Sequence, residues 1–237
     1  MQTAAEQDVG PACLDRPVWA ALTSHHAGFA VSAGPALMYH DDVAPFAAFD
    51  PASARGHAAL LRAVRARPGG IALIQADDVT VPDGLVCAQR AMGVQMRLER
   101  PLPKADAPDL AQLSEADVPD MLELVRQTEP GPFGARTHEL GAYWGLRRGG
   151  ALVAMAGERM RLPGHCEISA VCVHPDHRGR GYARQLVIRV AEGILARGEV
   201  PILHAFADNA PAIRLYDDMG FRLVRRMHVA MLAAAEA

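Results

Sequence analysis

The stretch Val171 to Ala183, V-C-V-H-P-D-H-R-G-R-G-Y-A, constrains this chain more than any other. An apolar run, Ile168 to Val173, leads into it, and its β-branched residues suit a buried strand. Pro175 stops that strand, because it has no N–H and a fixed φ. Beyond the glycines the spacing of Leu186, Val187, Val190, Ile194 and Leu195 predicts an amphipathic helix. Strand, glycine-bearing turn and helix N-terminus together make an anion site. The first helical N–H groups have no internal partners, and the helix dipole adds positive potential. Gly179 and Gly181 let the backbone approach a phosphate, and Arg178, Arg180 and Arg184 supply charge suited to a diphosphate.

Two nucleotide motifs compete for such a loop. A dinucleotide fingerprint needs a third glycine for close helix–sheet packing, and Arg184 stands there. A P-loop needs G-K-S/T, which the chain lacks. The pattern R-x-x-G-x-A, with Pro175 three residues before Arg178, instead resembles the acyl-CoA pyrophosphate loop of the GNAT superfamily of N-acetyltransferases. A second motif follows a short apolar stretch, Pro201 to Phe206. Asn209, Ala212, Leu215, Tyr216, Gly220 and Phe221 match the superfamily's N-x-x-A-x-x-L-Y-x-x-x-G-F segment position by position. Asn209 suits a helix N-cap, Pro211 the first turn and Gly220 the end. The resemblance runs from about Leu110 to the C-terminus.

The resemblance implies an α/β fold, a mixed, mostly antiparallel central sheet flanked by helices. It implies acetyl-CoA as acyl donor, no metal, and an amine as acceptor. It places the diphosphate against Arg178, Gly179, Arg180, Gly181, Tyr182, Ala183 and Arg184, with Asn209 nearby. The pantetheine arm pairs with the main chain of Val171, Cys172 and Val173, left open where the next strand splays away. Tyr216 faces the thioester sulfur as the acid. Glu167, at the start of the central strand, matches the position of a general base, and Glu158 on the preceding strand is its weaker rival. The plainer reading of Glu167 is a strand-end carboxylate in solvent or in an ion pair with a nearby arginine.

The first hundred residues carry no such motif. Pro17 predicts a short helix, Phe29 to Ala33 and Ala36 to Tyr39 two short strands, and Ala52 to Arg67 a helix. Gly70 to Ala76 and Val94 to Leu98 read as strands, and residues 1 to about 15 as a loose tail. Glu99 to Pro108, E-R-P-L-P-K-A-D-A-P, reads as a linker. The expected organisation is therefore a smaller N-terminal α/β domain, 1–105, and an acetyltransferase-like domain, 106–237. A diverged copy of the same fold is one form the first could take. In the second half the patterning predicts β-α-(α)-β-β-β-α-β-α-β, with a hairpin turn at Gly149-Gly150.

Composition narrows the functional classes. A net charge of −3 argues against a nucleic-acid surface, and no apolar run reaches the length of a membrane span. The polar start does not read as a signal peptide, so the expected compartment is the cytoplasm, with reduced thiols. Cys13, Cys87, Cys166 and Cys172 show no C-x-x-C spacing. Cys166 and Cys172 are an even number of residues apart, which predicts that they pack on the same face. His174 and His177 flank Pro175, which denies them the helical spacing of a ligand pair. Two readings stand: an acyl-CoA-dependent N-acyltransferase acting on a primary amine, and a non-catalytic acyl-CoA sensor. The sensor has no need of Tyr216.

Overall fold

The computed structural model describes residues 12–50, 53, 55–104 and 109–235. In chain order the elements are α1 (Ala12–Asp15), α2 (Pro17–Leu22), β1 (Ala30–Ser32), β2 (Ala36–Tyr39), β3 (Ala47–Phe49), α3 (Gly56–Arg65), β4 (Ile71–Gln75) and β5 (Leu85–Leu98). They continue with β6 (Leu110–Leu113), α4 (Val118–Thr128), β7 (Tyr143–Arg148), β8 (Ala151–Leu162), β9 (His165–Val173), α5 (Tyr182–Ala196), β10 (Val200–Phe206), α6 (Ala210–Asp218) and β11 (Phe221–Ala234). From β6 onward this is the expected order, with a 3₁₀ turn, Thr137–Leu140, in place of the second helix.

Strands β1 to β3 form a small antiparallel sheet, and the other eight form one sheet ordered β4-β11-β5-β10-β9-β8-β7-β6. Among the strands of the described residues, only the β10–β9 pair is parallel. The expected boundary at residue 105 does not separate two sheets. Strand β5, from before it, hydrogen-bonds between β10 and β11, from after it. Periodicity could not show this, because pairing across a sheet is set by tertiary register rather than by sequence distance. Strand β5 also starts nine residues earlier than expected. Its first half, Leu85 to Met92, is exposed or half-buried after Leu85 and pairs only with β11, so it lacks the apolar signal of Val94 to Met96, which is buried between two neighbours.

The tail assignment also needs correction. Residues 1–11 lie outside the described residues, but Ala12–Asp15 is helical and Leu14 is buried in the core.

Each face of the sheet is covered. On one side α5 and α6 pack Leu186, Val187, Val190, Ile194 and Tyr216 against Met96, Ile168, Leu203 and Phe221. On the other, α1 and α2 bury Leu14, Val18 and Leu22 against Met160, Ile202 and Met227, while Met121 and Leu124 of α4 pack on Tyr143, Met155 and Cys172. Burying side chains of this size stabilises by about 1.5–3 kcal/mol each.

Cys166 and Cys172 do not share a face. Cys166 packs under α5 and Cys172 under α4. Between them Ala170 takes φ +52°, and the register with β8 slips from Gly157↔Ser169 to Met155↔Cys172. One extra residue on β9 is a β-bulge, and it reverses every side chain beyond it.

Candidate active site

The bulge at Ala170 also opens the sheet. Strands β9 and β10 pair from His165↔Val200 to Ile168↔Leu203 and then part. Past that point Cys172 and Val173 pair only with β8, and His204 to Phe206 only with β5. A bulged strand bends and twists more strongly, so β9 leaves its neighbour. The positive φ of an alanine costs about 1–3 kcal/mol, held in place by the packing around it. The facing edges in the gap keep main-chain groups that no neighbouring strand pairs, which is the arrangement that accepts an extended ligand as an added strand.

A cavity of about 950 Å³ runs through this gap. At one end lies the loop. A 3₁₀ turn, Pro175–His177, leads to Arg178, and Gly179 and Gly181 take φ +75° and +76°. A Cβ on either would meet no atom within 4 Å. Glycine is therefore set by backbone conformation, and the space beside it is open. Helix α5 makes its first internal bond from the Gln185 N–H to the Gly181 carbonyl at 3.2 Å. The N–H groups of Tyr182, Ala183 and Arg184 face outward at the positive end of a fifteen-residue helix. Arg178, Arg180 and Arg184 all line the cavity here, and Arg178 Nε donates to the Val173 carbonyl at 3.3 Å.

Across the gap stands α6. The Asn209 side chain accepts the Ala212 N–H at 3.2 Å and fixes where this helix begins. Two turns on, Tyr216 lines the cavity and packs edge-on against Phe221, with ring centroids 6.3 Å apart. Burial pushes its phenol up to about 12, so it is protonated at neutral pH and available as a donor. Val171, Cys172 and Val173, with every residue from Arg178 to Arg184, Asn209 and Tyr216, border this one cavity.

Glu167 is not in the lining; it lies fully buried behind it. Arg159 Nε and Nη2 donate to its two oxygens at 2.9 and 2.6 Å, and His204 Nδ1 sits 2.8 Å from Oε1. Burial alone would raise this carboxyl, but Arg159 and His204 outweigh it and hold it down at about 2. Such a group is a fixed anion rather than a proton acceptor near neutrality. Glu158, the rival, is also outside the lining, and Arg197 Nη1 and Nη2 donate to it at 3.0 Å each.

The members of this network that do reach the cavity are Arg159 and His204, and of the two the imidazole is the one with a lone pair to accept a proton. Gln95 Nε2 donates to the Leu14 carbonyl at 3.1 Å and lies 3.0 Å from His204 Nε2. Since the amide nitrogen is the donor in both, Nε2 of the imidazole accepts and Nδ1–H donates to Glu167. Arg159, Glu167, His204 and Gln95 thus form one polar floor, on the sheet face opposite α5 and α6. The signal for His204 was a single polar residue in the apolar run Pro201 to Phe206, and its meaning depended on knowing that this strand borders the gap.

Comparison with known proteins agrees with this geometry. A family model described as FR47-like protein matches residues 143–229. The N-alpha-acetyltransferase RimI of Mycobacterium tuberculosis is 34% identical over 126 residues, 48% of this chain and 78% of that protein. An uncharacterized protein of Mycobacterium leprae is 31% identical over 215 residues, 81% of this chain and 56% of that one. The crystal structure of a putative GNAT-family acetyltransferase from Novosphingobium aromaticivorans superposes with a TM-score of 0.89 at 40% identity, covering 94% of this chain and 99% of that one. A GCN5-related N-acetyltransferase from Kribbella flavida shares the fold at 16% identity, with a TM-score of 0.59 over 88% of this chain and 93% of that one. Bulged central strand, glycine turn and capped tyrosine helix border one cavity, and the similarity to these relatives shows that the chain belongs to the GNAT superfamily of N-acetyltransferases.

Proposed function

We propose that the protein transfers an acetyl group from acetyl-CoA to a primary amine by direct attack. The observation that carries this reading is the gap between β9 and β10, with an anion-binding helix N-terminus at one end and the Tyr216 phenol across it. The cofactor diphosphate meets the open N–H groups of the loop and α5, with Arg178, Arg180 and Arg184 around it. The pantetheine arm adds to β9 along Val171 to Val173.

Holding donor and acceptor in line supplies much of the rate. The amine lone pair attacks the thioester carbonyl, a C–N bond forms, and the C–S bond breaks as the intermediate collapses. Tyr216 donates a hydrogen bond to the departing sulfur, which leaves as the CoA thiolate and takes up a proton from water, matching the one that nitrogen loses. The proton lost by nitrogen passes to His204 Nε2, directly or through water, and displaces the Gln95 contact. The imidazolium then faces the Glu167 carboxylate, which Arg159 keeps in position. Glu167 acts in this scheme as a positioning residue rather than as the base.

The test is acceptor-dependent thiol release. Incubated with acetyl-CoA and a mixture of amines, the protein should free CoA only when an acceptor is present. His204→Gln should lower kcat by about a hundredfold or more with acetyl-CoA affinity kept, the usual loss for one proton acceptor. Acetyl-CoA that binds and stays intact with every acceptor would support the sensor reading instead.

A further inference from the structure

The cavity does not end at the gap. It continues along the sheet face that carries His204 and Gln95, over β5, β11 and β4. Alternate residues of these strands point into it and stand in register. Ala91 lies opposite Val229, and Val229 opposite Ile74; Met231 lies between Gln89 and Ala72. Gly93 faces Met227 at the head of this row, next to the polar floor. Along β11 the shorter Val229 stands between Met227 and Met231, so the row Ala91–Val229–Ile74 is a trough with a methionine on either side. Phe46 walls it, with the Arg159 guanidinium 4.9 Å from its ring centroid.

Charge is kept out of this trough. Among the described residues, β4, β5 and β11 present no carboxylate and no cation to the cavity. Their neighbours Arg90 and His228 alternate to the other face, where Asp78 lies 2.6 and 3.2 Å from them. Arg159 lines the cavity, but Glu167 neutralises it. The carboxylate in the lining is Glu129, which follows α4 and is not on the strands of the trough.

We infer that the acceptor is a primary amine carried by an uncharged, apolar body, an inference that rests on the acyl-transfer reading above. The amine nitrogen sits at the head of the trough, between the thioester and His204, and the body lies over Ala91, Val229 and Ile74. An amino acid would bring a carboxylate for which the trough has no cation. A polyamine would bring a second ammonium for which it has no anion. Either burial without a partner is costly. The apolar wall also favours the neutral amine over the ammonium, and the neutral form is the nucleophile. A free monoamine and a peptide N-terminus with an apolar first side chain present the same chemistry, and the assay separates them.

The experiment compares kcat/KM for linear alkylamines from ethylamine to hexylamine, and for phenethylamine, phenylalanine, spermidine and a short peptide beginning with leucine. Acetyl-CoA affinity is measured by calorimetry in parallel. Values should rise with chain length by about fourfold per methylene until the trough is filled, the factor for burying one CH₂. Phenethylamine should exceed phenylalanine and spermidine by about a hundredfold or more. The leucine peptide exceeding every free amine would identify a chain terminus as the source, and the reverse a small monoamine; either supports the class. Ala91→Phe, which fills the trough, should flatten the chain-length series and leave acetyl-CoA affinity near wild type. A flat series in the wild type, or a preference for spermidine or phenylalanine, would overturn the inference while leaving acyl transfer intact. No turnover with any acceptor, with acetyl-CoA still bound, would overturn acyl transfer and this inference together.

Discussion

Glu167→Gln separates the two parts this carboxylate could play. In the folded protein it lies in a fully buried pair with Arg159 and accepts from His204. Its carboxyl is held at about 2, against an ordinary value of 4.5. That difference corresponds to about 3 kcal/mol of folding stability at neutral pH. Removing one partner of a buried pair leaves a guanidinium uncompensated and costs roughly 3–5 kcal/mol, so the two routes agree. The sign follows from the direction of the shift. A carboxyl depressed in the folded state contributes its full share above the unfolded value and loses it as pH falls through the folded one. Urea denaturation at pH 7 should therefore show Glu167→Gln less stable than wild type by about 3 kcal/mol or more, with an unchanged m-value. The deficit should shrink as pH drops from about 4.5 toward about 2. Equal stability at pH 7, or a deficit independent of pH, would refute the ion-pair account. Equal stability joined to loss of the acidic limb of the rate profile would return Glu167 to the part of general base.

Tyr216→Phe should lower kcat by about ten- to a thousandfold with acetyl-CoA affinity nearly intact, as for loss of one positioned donor; stopped assays with calorimetry check this. Gly181→Asp should weaken acetyl-CoA binding by about ten- to a hundredfold, because it sets a negative charge where the diphosphate meets the helix; its φ of +76° adds about 1–2 kcal/mol of backbone strain, too little to unfold the chain. A chain restricted to residues 106–237 loses β5 from between β10 and β11 and should be unfolded or insoluble by far-UV circular dichroism. A soluble fragment that still binds acetyl-CoA would restore the boundary at 105.

Much of the site was legible because its signals are local. A proline, two glycines and three arginines spread over a turn and the first residues of an amphipathic helix mark a candidate anion loop without any distant contact. The Asn209 cap and Tyr216 lie seven residues apart on one short helix, so their relation is also written locally. What escaped reading depends on register. Nothing in the sequence near Ala170 announces that an alanine takes φ +52°, yet that residue sends Cys166 and Cys172 to opposite faces and opens the gap. Strand β5 carries weak apolar signal where only β11 flanks it, so its insertion between β10 and β11 was hidden. The Arg159–Glu167–His204–Gln95 floor draws on four strands, and its members have meaning only once those strands are side by side.

The most direct test of the donor site is a crystal structure with acetyl-CoA bound. The account predicts the diphosphate against the N–H groups of residues 179–184. It predicts the pantetheine hydrogen-bonded to the main chain of Val171 and Val173 in the β9/β10 gap, and the sulfur within hydrogen-bond reach of the Tyr216 hydroxyl. Acetyl-CoA bound outside the gap, or with its sulfur turned away from Tyr216, would contradict it.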